Sequence, residues 1–153
     1  MTKKLLWLVV VVTAVALILP GTAPAKKLKI GVTQIVSHPA LDADQKGFEK
    51  ALQDAGLDVE YDYQNAQGDM SNAQAIARKF KGDDLDLVHC IATPTSQAIV
   101  KVITKTPVVY SSVTDPVDAG LVKTMDAAGG NVTGVSDAWP YDRQVQLHHE
   151  MVP

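Results

Sequence analysis

Three short stretches concentrate hydroxyl side chains where a small ligand could meet them: Ser37-His38-Pro39, Thr93-Pro94-Thr95-Ser96-Gln97 and Ser111-Ser112-Val113-Thr114-Asp115-Pro116. Hydroxyls and free backbone N–H groups at the start of a helix favour a carboxylate or phosphate. The second stretch has that form, with Thr93 expected as the helix cap and Pro94 at the first helical position. A purely local role competes with this: Thr93 could only cap the helix and Ser96 only satisfy its first turn. Convergence of three such loops on one rim favours the ligand reading.

Residues for catalysis are harder to assemble. No G-x-G-x-x-G or phosphate-binding loop follows the first apolar run, and no G-x-S-x-G elbow occurs. Asp42, Asp44, Asp83, Asp84 and Asp86 read as solvated loop or helix-face charges. Cys90 lies inside an apolar run and reads as a buried structural thiol. His89 alternates with apolar neighbours, which suits packing or one buried hydrogen bond. His148 and His149 are adjacent, so on a helix they diverge and cannot share a zinc ion. No catalytic residue, metal ligand or cofactor is expected.

Alternating elements must position these loops. Strands are expected at Leu28–Val36, Val59–Tyr63 (nearer an edge), Leu85–Ala92, Pro107–Tyr110 and Asn131–Val135. Helices are expected at Pro39–Ala55, Asp69–Phe80, from Thr93 through Ile103, and Pro140–Met151, with a short turn at Asp115-Pro116. Gly56 stands where a glycine ends a helix. Strand–helix alternation with apolar strands predicts an α/β fold, a parallel sheet with helices on both faces. Ligands of such sheets bind beyond the C-terminal strand ends, where the three loops lie.

The first 25 residues stand apart. Lys3 and Lys4 precede an apolar run, Leu5 to Leu19, which Pro20-Gly21 breaks before Ala23-Pro24-Ala25. That is the pattern of a cleavable secretory signal over 1–25. Cleavage would leave 128 residues and move the net charge from −3 to −5. An acidic chain argues against a nucleic-acid partner. The single cysteine excludes an internal disulfide, and none stands at the cleavage site to take a lipid. The expected location is the periplasm.

Taken together, Ile35-Val36-Ser37-His38-Pro39-Ala40-Leu41-Asp42, Ile91-Ala92-Thr93-Pro94-Thr95-Ser96-Gln97-Ala98, Val113-Thr114-Asp115-Pro116 and Gly129-Gly130-Asn131-Val132-Thr133-Gly134-Val135-Ser136-Asp137 resemble a known family. It is the ABC-transporter substrate-binding proteins of the type I periplasmic-binding fold that include tryptophan- and tyrosine-binding members. The resemblance runs from about Lys29 to the end. It implies a two-lobed receptor that closes on a small polar ligand, here an amino acid, and presents it to a permease and ATPase, touching the membrane only through the permease. It also implies that Thr95, Ser96, Ser112 and Thr114 grip the ligand's carboxylate and amino groups, that His38 lines the cleft, and that Asp137 serves at its edge or hinge. Residues 26–136 would form the N-terminal lobe, and 137–153 a crossover toward a second lobe that this chain lacks. A truncated receptor is therefore expected, with weak binding alone. An exported sensory domain and a secreted α/β enzyme are the alternatives. The aromatic residues do not single out a ligand.

Overall fold

The computed structural model describes residues 26–127 and 129–152. The signal-peptide reading of 1–25 lies outside them. The elements run β1 (Leu28–Gln34), α1 (Pro39–Asp54), β2 (Val59–Asn65), α2 (Met70–Gly82), β3 (Leu87–Ile91), α3 (Thr93–Val100), β4 (Val108–Val113), β5 (Val132–Ser136) and α4 (Tyr141–Met151). The five strands form one sheet in the order β2-β1-β3-β4-β5, and every pairing is parallel.

Alternation along the strands divides the core in two. Ile30, Val32 and Ile91 point to one face and pack against Leu41, Phe48 and Leu52 of α1. Val88, Cys90, Val108 and Tyr110 point to the other. There they meet Ala73, Ile76, Ala77 and Phe80 of α2 and Ala98 and Ile99 of α3. Ala51 and Ala55, placed by the sequence on the buried stripe of α1, are exposed. Two glycines permit close approach within the layers. A Cβ on Gly31 would press on Phe80 and Leu85, and one on Gly134 would collide with the Tyr110 carbonyl and ring.

Chain punctuation follows local chemistry. His38 caps α1, its Nδ1 accepting from the Ala40 N–H at 3.2 Å. Asp69 caps α2 by accepting from Ser71 and Asn72. Gly56 takes φ +72° just past α1, as a C-terminal glycine should. After β4, the Asp115 carboxylate accepts from the N–H groups of Val117 and Asp118, closing the expected turn.

Two expectations need correction. Thr93 does not cap α3 but is its first residue; the cap is Ala92, at φ +79°, with no side-chain hydrogen bond. β4 runs on to Val113, so Ser111 and Ser112 belong to a strand end rather than a loop. Ser111 pairs with Ile91 of β3, while the pairing with β5 shifts register between Tyr110 and Val113. No helix of the described residues is long and apolar enough to cross a membrane. α4 has no buried residue.

Candidate functional site

The C-terminal ends of β4 and β5 and the first half of α1 enclose a cavity of about 530 Å3. Asp44 and Phe48 face it from α1, His89 and Ser111 from the sheet, and Ser112 and Asp137 from its rim. The register irregularity sets this arrangement. A bulge re-aims the side chains beside it. Ser112 sits at φ +52°, a region few non-glycine residues occupy. Its hydroxyl donates to the Asp44 carboxylate at 2.5 Å, tying β4 to α1 across 68 residues of chain. The Asp137 N–H donates to the Val113 carbonyl at 3.1 Å, which fixes the strand-end backbone from which Asp137 projects.

The other expected site residues take different places. Thr95 and Ser96 are fully buried. The Thr95 hydroxyl donates to the carbonyls of Ile91 (2.6 Å) and Ala92 (3.1 Å), and Ser96 to that of Ala92 (2.8 Å). Both brace the β3–α3 turn from beneath and hold Ala92 in its unusual conformation. With no side chain capping α3, the first-turn N–H groups remain the polar surface this turn can offer. Thr114 is exposed, and its carbonyl accepts from the Ser136 hydroxyl at 2.9 Å. His38 is exposed on the β1–α1 loop. The cavity thus brings together Ser112 and Asp137 and leaves His38, Thr95, Ser96 and Thr114 outside its lining.

Asp44, Phe48 and His89 were not legible as site residues, and Ser111 stood in the third hydroxyl-rich stretch without a role of its own. His89 is 1% exposed. Its ring stacks on Phe48 with centroids 4.0 Å apart, and its Nε2 lies 2.8 Å from the Ser111 hydroxyl. Nδ1 is buried without a partner. Burial drives the His89 pKa down to about 4, against weaker opposing pulls from the Asp44 and Glu49 carboxylates. The imidazole is therefore neutral over the physiological range. A serine–histidine pair does exist in space. It is poorly equipped for acyl transfer: the base is too weak to take a proton near neutrality, and no acceptor orients Nδ1. Cys90 is fully buried and its thiol is pushed up to about 12, chiefly by burial. No three His, Cys, Asp or Glu side chains of the described residues are arranged to hold a metal ion.

A second concavity, of about 410 Å3, opens at the other end of the sheet around Lys29, Glu60, Asp62 and Lys79. It is filled with internal ion pairing, Lys79 with both Asp62 and Asp83. It lies at N-terminal strand ends, away from where α/β sheets take ligands.

A parallel sheet with helices on both faces and a one-sided cavity at its C-terminal rim defines the class: one lobe of a type I periplasmic-binding fold. The particular assignment follows from comparison. The family model described as ABC transporter substrate binding protein matches residues 29–153, and the chain belongs to that family, whose members are substrate-binding proteins rather than enzymes. A tyrosine-binding protein of Clostridioides difficile is 43% identical over 136 residues, 86% of this chain and 39% of its own. A conserved domain protein of Vibrio cholerae superposes with TM-score 0.81 at 45% identity, over 84% of this chain and 45% of that one. A Streptococcus pneumoniae ABC domain in complex with L-Trp gives 0.76 at 41% identity, over 80% and 42%. The chain spans less than half the length of these relatives.

Proposed function

We propose that this chain is the N-terminal, ligand-gripping lobe of an exported amino-acid receptor serving an ABC importer. Residues 26–136 make the lobe, and 137–153 lead toward an opposing lobe. The observation that carries the reading is the cavity that joins Ser112 and Asp137 at the strand ends, in a chain 41% identical to a protein whose structure holds L-Trp. Ser112 and Asp137 suit the ligand's ammonium group. The uncapped first turn of α3, braced by Thr95 and Ser96, suits its carboxylate. Thr114 and His38 are the remaining contacts of this reading.

Export by the 1–25 signal, periplasmic residence, and a permease with its ATPase as partners follow from this reading. An open lobe covers one side of a ligand, whereas small-molecule sites bury most of their guest. Binding by this chain alone is therefore weak. The test is titration of the purified chain with L-tryptophan and L-tyrosine, followed by amide NMR shifts. Millimolar binding with shifts at Thr93, Ser112 and Asp137 is expected. Shifts confined to other surfaces, or micromolar affinity, would overturn the assignment of roles.

A further inference from the structure

On the α2–α3 side of the sheet, opposite the cavity, two adjoining grooves of about 300 and 330 Å3 share Val102. Met70, Gln74, Arg78 and Lys81 recur at i, i+4, i+8 and i+11, one stripe of α2. Arg78 and Lys101 both line the first groove, and Lys81 and Lys105 both line the second. All four cations are exposed, and no acidic residue lines either groove. The ion pairs among the described residues use Lys26, Lys27, Lys50 and Lys79 and leave these four out. Helix C-termini attract cations, which accounts for Lys81 and Lys101. Arg78 and Lys105 do not stand at a helix end, and the chain as a whole is acidic at −3. The rest of the lining includes apolar surface: Met70, on the α2 stripe, is 43% exposed, Val102 is half-buried, and Ala98 and Ile103 are buried.

We propose that this surface docks an acidic, amphipathic peptide segment of a partner protein. Charge complementarity chooses the sign of the partner: four uncompensated cations steer an anionic one and penalise a basic one. The apolar lining chooses a peptide. A polyanionic sugar has nothing to place on Met70 and Val102, and a bilayer does not enter a groove. Carboxylates along the segment meet the pairs Arg78/Lys101 and Lys81/Lys105, while an apolar side chain between them covers Val102. Because the sheet separates this surface from the ligand cavity, the partner and the ligand bind at the same time.

The test is selection of a random peptide-display library on the purified chain and on a variant carrying Arg78→Glu, Lys81→Glu, Lys101→Glu and Lys105→Glu. The wild-type chain is expected to enrich acidic sequences punctuated by apolar residues. A synthetic peptide of the enriched sequence should bind at least tenfold more weakly to the variant and to Val102→Asp, and more weakly as salt rises. Phosphatidylglycerol vesicles and heparin should not displace it. Enrichment independent of the four cations, no enrichment at all, indifference to Val102→Asp, or displacement by vesicles or heparin would each overturn the proposal. Should the fourfold variant lose its native amide spectrum, the milder pair Lys101→Ala and Lys105→Ala is compared instead, with the same loss of affinity expected.

Discussion

Acidification should unload stability from this lobe through one side chain. His89 is wholly buried between Phe48 and the sheet, and its second nitrogen has no acceptor. A proton added there charges a group that the fold desolvates and cannot pair. The folded pKa is about 4, against 6.5 in the unfolded chain. Since the folded value is the depressed one, the unfolded chain binds the proton more readily. The stabilisation is complete above pH 6.5, erodes as the pH falls, and is gone near pH 4. A gap of that size corresponds to about 3 kcal/mol. For a small domain this is a large share of roughly 5–15 kcal/mol of total stability. The assay is urea denaturation at pH 7, 5.5 and 4, for the wild-type chain and for His89→Gln. Carboxylates such as Asp62 and Asp86, held below the ordinary value of 3.8, are common to both proteins and cancel in the difference. The variant should lose about 3 kcal/mol less than wild type between pH 7 and pH 4. Parallel pH curves, or an NMR-titrated His89 near 6.5, would refute the reasoning.

Gly134→Ala places a methyl group against the Tyr110 carbonyl and ring, and should cost roughly 3 kcal/mol in urea denaturation. Ser112→Ala removes the hydrogen bond to Asp44 that joins β4 to α1. It should lower stability by about 1 kcal/mol and reduce the NMR shifts that L-tryptophan induces at Asp137. Cys90, fully buried with its thiol pushed up to about 12, should resist a disulfide reagent at pH 8 in the native chain and react promptly in 6 M urea. Phe80→Ala should empty the centre of the α2 contact and cost about 3–5 kcal/mol, read from the same denaturation curves.

Local pattern carried much of this fold. The stripe Ala73, Ile76, Ala77, Phe80 is buried as its spacing required, and Asp69 and Gly56 end their helices where their chemistry places them. What escaped was whatever depends on a distant partner. Ser111 and Ser112 looked like a loop because β4 continues through them by distant pairing, Ser111 with Ile91 of β3 and Val113 with Ser136 of β5. Ala92 at φ +79° could not be foreseen, since alanine has no intrinsic taste for that region, and Thr93 therefore looked like the cap. Asp44 read as a solvated helix charge because its partner Ser112 lies 68 residues away. The site was legible as hydroxyl-rich strand ends. Its floor, Phe48 against His89, exists only once α1 has closed over β3.

The all-parallel sheet also dictates an order of assembly. β1 lies between β2 and β3, and its Ile30 pairs with Tyr61 on one side and Leu87 on the other. No two strands of the described residues form a hairpin, so no pairing among them can nucleate from a tight turn. β1 gains both neighbours only when the chain through Ile91 is available, and the central β3 only when the chain through Val113 is, and each closure costs loop entropy before contacts repay it. A nascent chain of this design stays loose until late and then gathers its centre in one cooperative step. On the export route proposed above, that delay would keep the polypeptide pliable through passage.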